Sequence, residues 1–345
     1  MTTATLGLPR RWRLPGWGLC LTAALIAELI FFTLTTRHFA GGGSGMLTLS
    51  EQFAPTGVLS LGLAMVILTG SIDLSVAANA SLAAVVAGIA LDHGAGTAIA
   101  VLVAIAVGTC VGLFNGFAIA ILGIDSLLVT LATQFIVTSI ATSAAGQSPP
   151  GTLKPFPTAF QSLGQGALIG IPSALLIFLV LALATIAVVN YTSFGRSIVL
   201  IGYNRRAADY SGIGSRSTLI GVFTVSGALA GVAGVLFAAY YNSAVPENAA
   251  VLLLPAITAV VLGGVDIFGG RGRIGEVILA VLLLGYLSQG MLLAGESSLA
   301  VTMVTGLVLI GALVLKISLE RNRRELWAAR IRQLQGPIAR WGRPG

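Results

Sequence analysis

The chain has 345 residues, 56% of them hydrophobic and only 9% charged, with 44 glycines, a mean hydropathy of +0.96 and a formal net charge of +7. That balance excludes a soluble globular domain and assigns an all-α polytopic membrane protein, because a helix satisfies its own backbone polar groups in lipid. Common catalytic chemistries are excluded as well: there is no HExxH and no GxSxG, Cys20 and Cys110 lie in apolar segments without metal or redox spacing, and His38 and His93 fall in loops.

Residues 1–16 form a basic tail. The first apolar stretch, 17–36, is interrupted by Glu28 and followed by no small-residue cleavage site, so it reads as a retained helix rather than a signal peptide. Further apolar stretches follow at 54–70, 76–92, 97–122, 126–144, 168–189, 217–241, 251–264, 274–294 and 299–318, which predicts about ten transmembrane helices over 17–318. The 251–264 stretch is short for a full crossing and suggests a tilted or re-entrant segment. Residues 319–345 form a basic tail in which Leu326, Trp327, Ile331 and Leu334 recur at helical spacing among arginines, the pattern of a helix lying on an anionic lipid surface.

Lys and Arg are retained on the cytoplasmic side, so their distribution tests the count. With both termini cytoplasmic and ten crossings, seventeen basic residues fall inside (Arg10, Arg11, Arg13, Arg196, Arg205, Arg206, Arg216, Arg271, Arg273, Lys316, Arg321, Arg323, Arg324, Arg330, Arg332, Arg340 and Arg343) and only Arg37 and Lys154 outside. Merging or splitting a segment destroys this asymmetry. The positive charge therefore follows from topology and calls for no nucleic-acid partner.

Between two crossings, 192–216 is a polar, arginine-bearing island. Asn204 is placed to cap a short helix over Arg205 to Ser211, with Ala207 and Ala208 as strong helix formers and Gly212 as the left-handed residue that ends it. Two turns alone in water are unstable, so this helix either docks a soluble partner or belongs to a solvated connecting loop. Gly270-Arg271-Gly272-Arg273-Ile274-Gly275 matches G-x-G-x-x-G, yet no strand precedes it and an apolar crossing follows, so its glycines read as a tight turn rather than a dinucleotide site. No G-x-x-x-x-G-K-[ST] occurs, so ATP-driven work requires a separate subunit.

Met65 to Ser75, M-V-I-L-T-G-S-I-D-L-S, resembles Ala259 to Phe268, A-V-V-L-G-G-V-D-I-F: an apolar helix end, two small residues, then Asp73 or Asp266. Both stretches fall at the cytoplasmic end of a segment, which suggests parallel repeats, with chance similarity in an apolar background as the alternative. The two aspartates suit helix capping, a pathway lining or a partner contact, with capping favoured by the helix dipole. Small residues before them, including Gly263 and Gly264, suit close backbone approach.

L-T-G-S-I-D-L-S at 68–75, F-G-R-S-I-V-L-I-G-Y-N-R-R-A-A-D-Y-S-G-I at 194–213 and I-T-A-V-V-L-G-G-V-D-I-F-G-G-R-G-R-I-G at 257–275 resemble, in order and spacing, the signature stretches of ribose-type ABC importer permeases. Within that family L-L-P-A-I-T-A-V-V-L-G-G at 253–264, L-L-G-Y-L-S-Q-G-M-L-L-A-G at 283–295 and the basic tail resemble autoinducer-2 permeases of the D-subunit kind, with rhamnose permeases as near relatives. Ser71 stands where the family often has glycine, and Ala77-Ala78-Asn79 replaces the usual Gly-Ser.

The resemblance implies an inner-membrane permease subunit, 17–318, that is not itself an enzyme. Its expected partners are two ATPase copies that bind ATP and Mg, a second and distinct permease, a periplasmic solute-binding protein and membrane lipid. It makes 192–216 the coupling loop, with Arg196, Gly202, Asn204, Arg205, Ala207, Ala208, Ser211 and Gly212 contacting or shaping the ATPase contact. Asp73, Gly263, Gly264, Asp266, Gly269 and Gly270 are expected as structural or pathway positions. The sparse intramembrane polar groups Ser75, Asn79, Asn115, Thr130, Thr133, Gln134 and Gln289 are expected to line the pathway or to join helices. An ion-coupled transporter would need titratable groups at the midplane, where Glu28 is the one carboxylate well inside a crossing, with Glu276 near a helix end.

Overall fold

The computed structural model describes residues 17–36, 39, 45–152, 154–246, 251–312 and 314. The basic tails 1–16 and 319–345, with Trp327, and also Arg37 and His38, lie outside the described residues.

The order is α1 (Trp17–Thr35), α2 (Gly45–Thr48), α3 (Ser50–Leu68), α4 (Val76–Asp92), α5 (Thr97–Ala120), α6 (Ser126–Ala145), α7 (Thr158–Gln165), β1 (Ala167–Leu168), β2 (Ile171–Pro172), α8 (Ser173–Tyr191), α9 (Ser193–Tyr203), α10 (Arg205–Tyr210), α11 (Ser215–Tyr241), α12 (Leu253–Leu262) and α13 (Ile274–Leu293), followed by α14 (Ser298–Ala312). Seven helices have the length and apolarity to cross a membrane, and α4, α12 and α14 are shorter apolar helices. Together these correspond to the ten expected stretches. At the sixth, the apolar run 168–189 proves to be two structures: residues up to Pro172 form an antiparallel hairpin, and the crossing helix starts at Ser173.

Two helices form the centre. α3 is buried along almost its whole length and is packed by α8, α11, α12 and α13, while α11 packs on α3, α4, α5 and α7. Lipid supplies no hydrophobic force between helices, so close approach through small residues must do this work. At the α5–α11 crossing a side chain on Gly112 would overlap the Phe223 carbonyl, and one on Gly116 would lie 2.8 Å from the Ile220 Cα. Many hydroxyls along the helices bond back within their own helix, as in Thr109 Oγ1 to the Ile105 carbonyl (2.6 Å) and Thr185 Oγ1 to the Leu181 carbonyl (2.8 Å), which gives these donors a partner that lipid cannot supply.

Relative directions agree with alternating crossings. Gly18 lies beside Glu276 and Phe32 beside Gly290, so α1 and α13 run parallel, whereas Gly108 near Gly231 and Gly116 near Ile220 make α5 and α11 antiparallel. The Trp17 indole donates to the Leu262 carbonyl at 2.9 Å and so satisfies the C-terminal end of α12 with the first residue of α1.

Candidate functional site

The three stretches 68–75, 194–213 and 257–275, separated by up to two hundred residues of chain, meet at one end of the bundle. Gly270 N donates to the Leu68 carbonyl at 2.9 Å. A Cβ on Gly202 would fall on that same carbonyl and on Gly270 N, and a Cβ on Gly269 would lie 2.5 Å from Gly70 N and 3.0 Å from the Gly202 Cα. The end of α3, the end of α9 and the turn after α12 therefore touch backbone to backbone. Arg271 extends the junction by placing its guanidinium 5.8 Å from the Tyr203 ring centroid.

Repetition at 65–75 and 259–268 holds at the level of conformation. Leu68 and Leu262 each end their helix, followed by a cap residue and then a left-handed glycine, Gly70 at φ +79° and Gly264 at φ +78°. Both aspartates then accept from the amide two residues on, Ser75 N to Asp73 Oδ1 at 2.9 Å and Phe268 N to Asp266 Oδ1 at 3.1 Å. They form local turns rather than the helix caps that the dipole favoured, since Ser75 stands at the N-cap of α4 and Arg273 at that of α13. Their surroundings differ, since Asp73 is fully buried and Asp266 is partly exposed.

Directly beyond Tyr203 stands α10. Asn204 Oδ1 accepts from Ala207 N at 3.0 Å and caps it. Ile213 N to the Ala208 carbonyl (3.0 Å) and Gly212 N to the Asp209 carbonyl (3.0 Å), with Gly212 at φ +79°, close its C-terminus. Of its six residues only Ala208 is buried; Arg205, Arg206, Ala207, Asp209 and Tyr210 face outward, as do Ser211 and Gly212 beyond it. Residues 193–203, expected as loop, form α9. Thr192 caps it by accepting from Gly195 N (3.1 Å), Gly195, Ile198 and Ile201 are buried, and Arg196 is exposed. Exposed Tyr203, Tyr210 and Phe268 at this end escaped the sequence reading, although an aromatic residue inside a charged or glycine-rich turn was visible at each position.

A buried polar chain leads inward from the same turn. Ser75 Oγ donates to Asp73 Oδ1 (2.6 Å), Asn115 Nδ2 to Ser75 Oγ (2.8 Å) and Thr133 Oγ1 to Asn115 Oδ1 (2.7 Å). Alongside it, Leu74 N donates to Thr130 Oγ1 and Ile72 N to Ser126 Oγ, both at 3.2 Å, and Asn79 Nδ2 donates to the Gly108 carbonyl at 3.0 Å. The turn 69–75, α4, α5 and α6 are thus stitched together by five of the seven predicted polar residues, all at most 3% exposed. Gln134 is partly exposed on α6, and Gln289 is buried on α13, a helix that packs on α1, α3 and α12. Neutral donors and acceptors ending on a carboxylate suit two tasks, joining helices in lipid and hydrogen-bonding a hydroxylated solute.

Residues 45–313 match the model of the family described as "Branched-chain amino acid transport system / permease component". The chain is similar to the autoinducer 2 import system permease protein LsrD of Salmonella typhimurium (34% identical over 325 residues, 93% of this chain and 98% of the relative). It is also similar to LsrD of Escherichia coli (34% over 319 residues, 91% and 96%) and of Yersinia pseudotuberculosis (33% over 337 residues, 96% and 100%). No solved structure matches the chain. The glycine junction and the buried polar chain thus sit within the matched region, and the chain belongs to this family of transport permeases, as a multi-pass protein of the bacterial inner membrane.

Proposed function

We propose that this chain is the membrane permease of an ATP-driven ABC importer for a small sugar-like solute, autoinducer-2, working with an ATPase that binds ATP and Mg, a second and distinct permease, and a periplasmic solute-binding protein. The observation that carries this reading is the backbone junction of Leu68, Gly202, Gly269 and Gly270, from which the exposed α10 projects on one side and the buried polar chain departs on the other.

In this reading α10 is the coupling helix and Tyr203, Tyr210 and Phe268 add apolar contact to its arginines. ATP binding draws the ATPases together and displaces α10. Close backbone contact at Gly202 and Gly270 passes that displacement to the end of α3 as a rigid movement, because there is no compressible side chain between them. The turn 69–75 moves with α3. Asp73 and Ser75 then pull on Asn115 and Thr133, so that α5 and α6 part and their polar groups exchange mutual hydrogen bonds for bonds to the solute. Such groups need only hold the solute weakly, since selectivity resides in the binding protein.

Reconstitution tests this. Proteoliposomes holding this chain, its partner permease and the ATPase are expected to take up labelled autoinducer-2 only with the binding protein and ATP present. Uptake that survives without ATP and collapses with a protonophore contradicts it.

A further inference from the structure

At the opposite end of the bundle from α10, the hairpin β1–β2 immediately precedes the membrane helix α8. Leu168 pairs with Ile171, so Ile169 and Gly170 alone form its turn, with φ of +54° and +78°. Both residues lie in the left-handed region, the arrangement of a type I′ turn, which is normally built from Asn, Asp and Gly. A β-branched residue there is strained. Ile169 is also 94% exposed, with Leu168 at 60% and Ile171 at 39%. Strain and exposure of apolar side chains are thus combined at one tip, and nothing within the described chain compensates either.

The prong is firmly held. Ser173 N donates to the Gly166 carbonyl at 2.8 Å, Ser173 Oγ donates to the Ser162 carbonyl at 2.5 Å with the carbonyls of Leu163 and Gly166 also near it at 3.0 Å, and α2 packs on β2. Gln165 Nε2 fastens the preceding helix α7 to the Tyr240 carbonyl at the end of α11 at 2.5 Å.

We infer that the Leu168–Ile171 tip is seated in the lipid leaflet on its own side of the membrane and anchors the 147–172 segment to the bilayer. Two observations select lipid as the occupant. No charged residue occurs between Lys154 and Arg196, so the hairpin has none of the gatekeeping charges of an exposed water-facing edge. It also runs without interruption into α8, whose exposed Val180 and Leu183 continue the apolar surface down the membrane. Burial of three aliphatic side chains at the interface then offsets the strained turn.

Site-directed spin labelling tests the inference on the assembled transporter in nanodiscs of phosphatidylethanolamine and phosphatidylglycerol. In a Cys20→Ser, Cys110→Ser background, Ile169→Cys and, as a second position, Leu168→Cys are labelled, with Val180→Cys as lipid reference and Lys154→Cys as water reference. Collision with dissolved oxygen is expected to exceed collision with a water-soluble nickel chelate at both tip positions, as at Val180. A nickel-dominated signal like that at Lys154, or shielding from both reagents as under a covering protein, overturns the proposal.

Discussion

Gly202 has no space for a methyl group: its Cβ direction is filled by the Leu68 carbonyl and Gly270 N. Gly202→Ala is therefore expected to destabilise the protein by about 1–3 kcal/mol, the usual cost of overpacking, and Gly202→Val by more. Thermal unfolding in detergent reads this directly, and an unchanged midpoint for both variants argues against the close junction. Asn115 poses the opposite problem, since it joins Ser75 to Thr133 inside the bundle. Asn115→Leu strips both partners and is expected to cost about 1–3 kcal/mol, the penalty for leaving buried polar groups unpaired. If Asn115→Leu is as stable as the wild type, the polar chain does not hold α5 and α6. Ser75, Asn79, Asn115, Thr130 and Thr133 stand out singly because polar residues are sparse in an apolar background, but nothing in the sequence shows that they join one another. Gln289 shared that signal and lies elsewhere, because hydropathy reports depth and not which helices are neighbours.

Helix α10 owes its boundaries to local chemistry that sequence displays openly, the Asn204 cap and the left-handed Gly212. Asn204→Ala is expected to cost the helix about 1 kcal/mol, seen as faster amide exchange over 205–211 with the bundle unaffected. Slower or unchanged exchange there removes the capping role. The preceding helix α9 was hidden, although Phe194, Ile198 and Ile201 recur on one face, because Gly195, Gly202 and Arg196 give the segment the composition of a loop. Similarly, the hairpin at 167–172 merges with α8 in hydropathy because its Leu and Ile residues have the apolarity of a crossing, and what separates them is the strand pairing around the turn at Ile169 and Gly170 and the start of α8 after Pro172. Between α5 and α11 the glycines set the separation of the helices. Gly112→Leu is expected to abolish a monodisperse profile on gel filtration, and a normal profile contradicts the seam as observed.

Among the described residues, seven long and three shorter apolar helices form the bundle, with α10 and the glycine junction at one end and the hairpin that precedes α8 at the other. The Lys and Arg asymmetry of the sequence leads us to expect the α10 face on the cytoplasmic side, and labelling tests it. On a background lacking Cys20 and Cys110, Ser211→Cys is expected to react with a membrane-impermeant maleimide only in inside-out vesicles, and Thr152→Cys only in right-side-out vesicles. The reverse pattern inverts the topology. The long-range meeting of 68–75 with 194–213 and 257–275 could not be read from spacing, since backbone contact across so much chain leaves no local periodicity; what the sequence displayed was the glycines that permit it.

If α10 couples this permease to an ATPase, damage to its exposed surface must release that ATPase, and co-purification reads the release. The ATPase and the partner permease are co-expressed with the wild-type chain and with a variant carrying Ala207→Arg and Gly212→Asp, both at exposed positions, and uptake of labelled autoinducer-2 is measured in the same cells. The variant is expected to insert and to bind its partner permease but to lose the ATPase and uptake together. An ATPase that remains bound to the variant, with uptake intact, contradicts it.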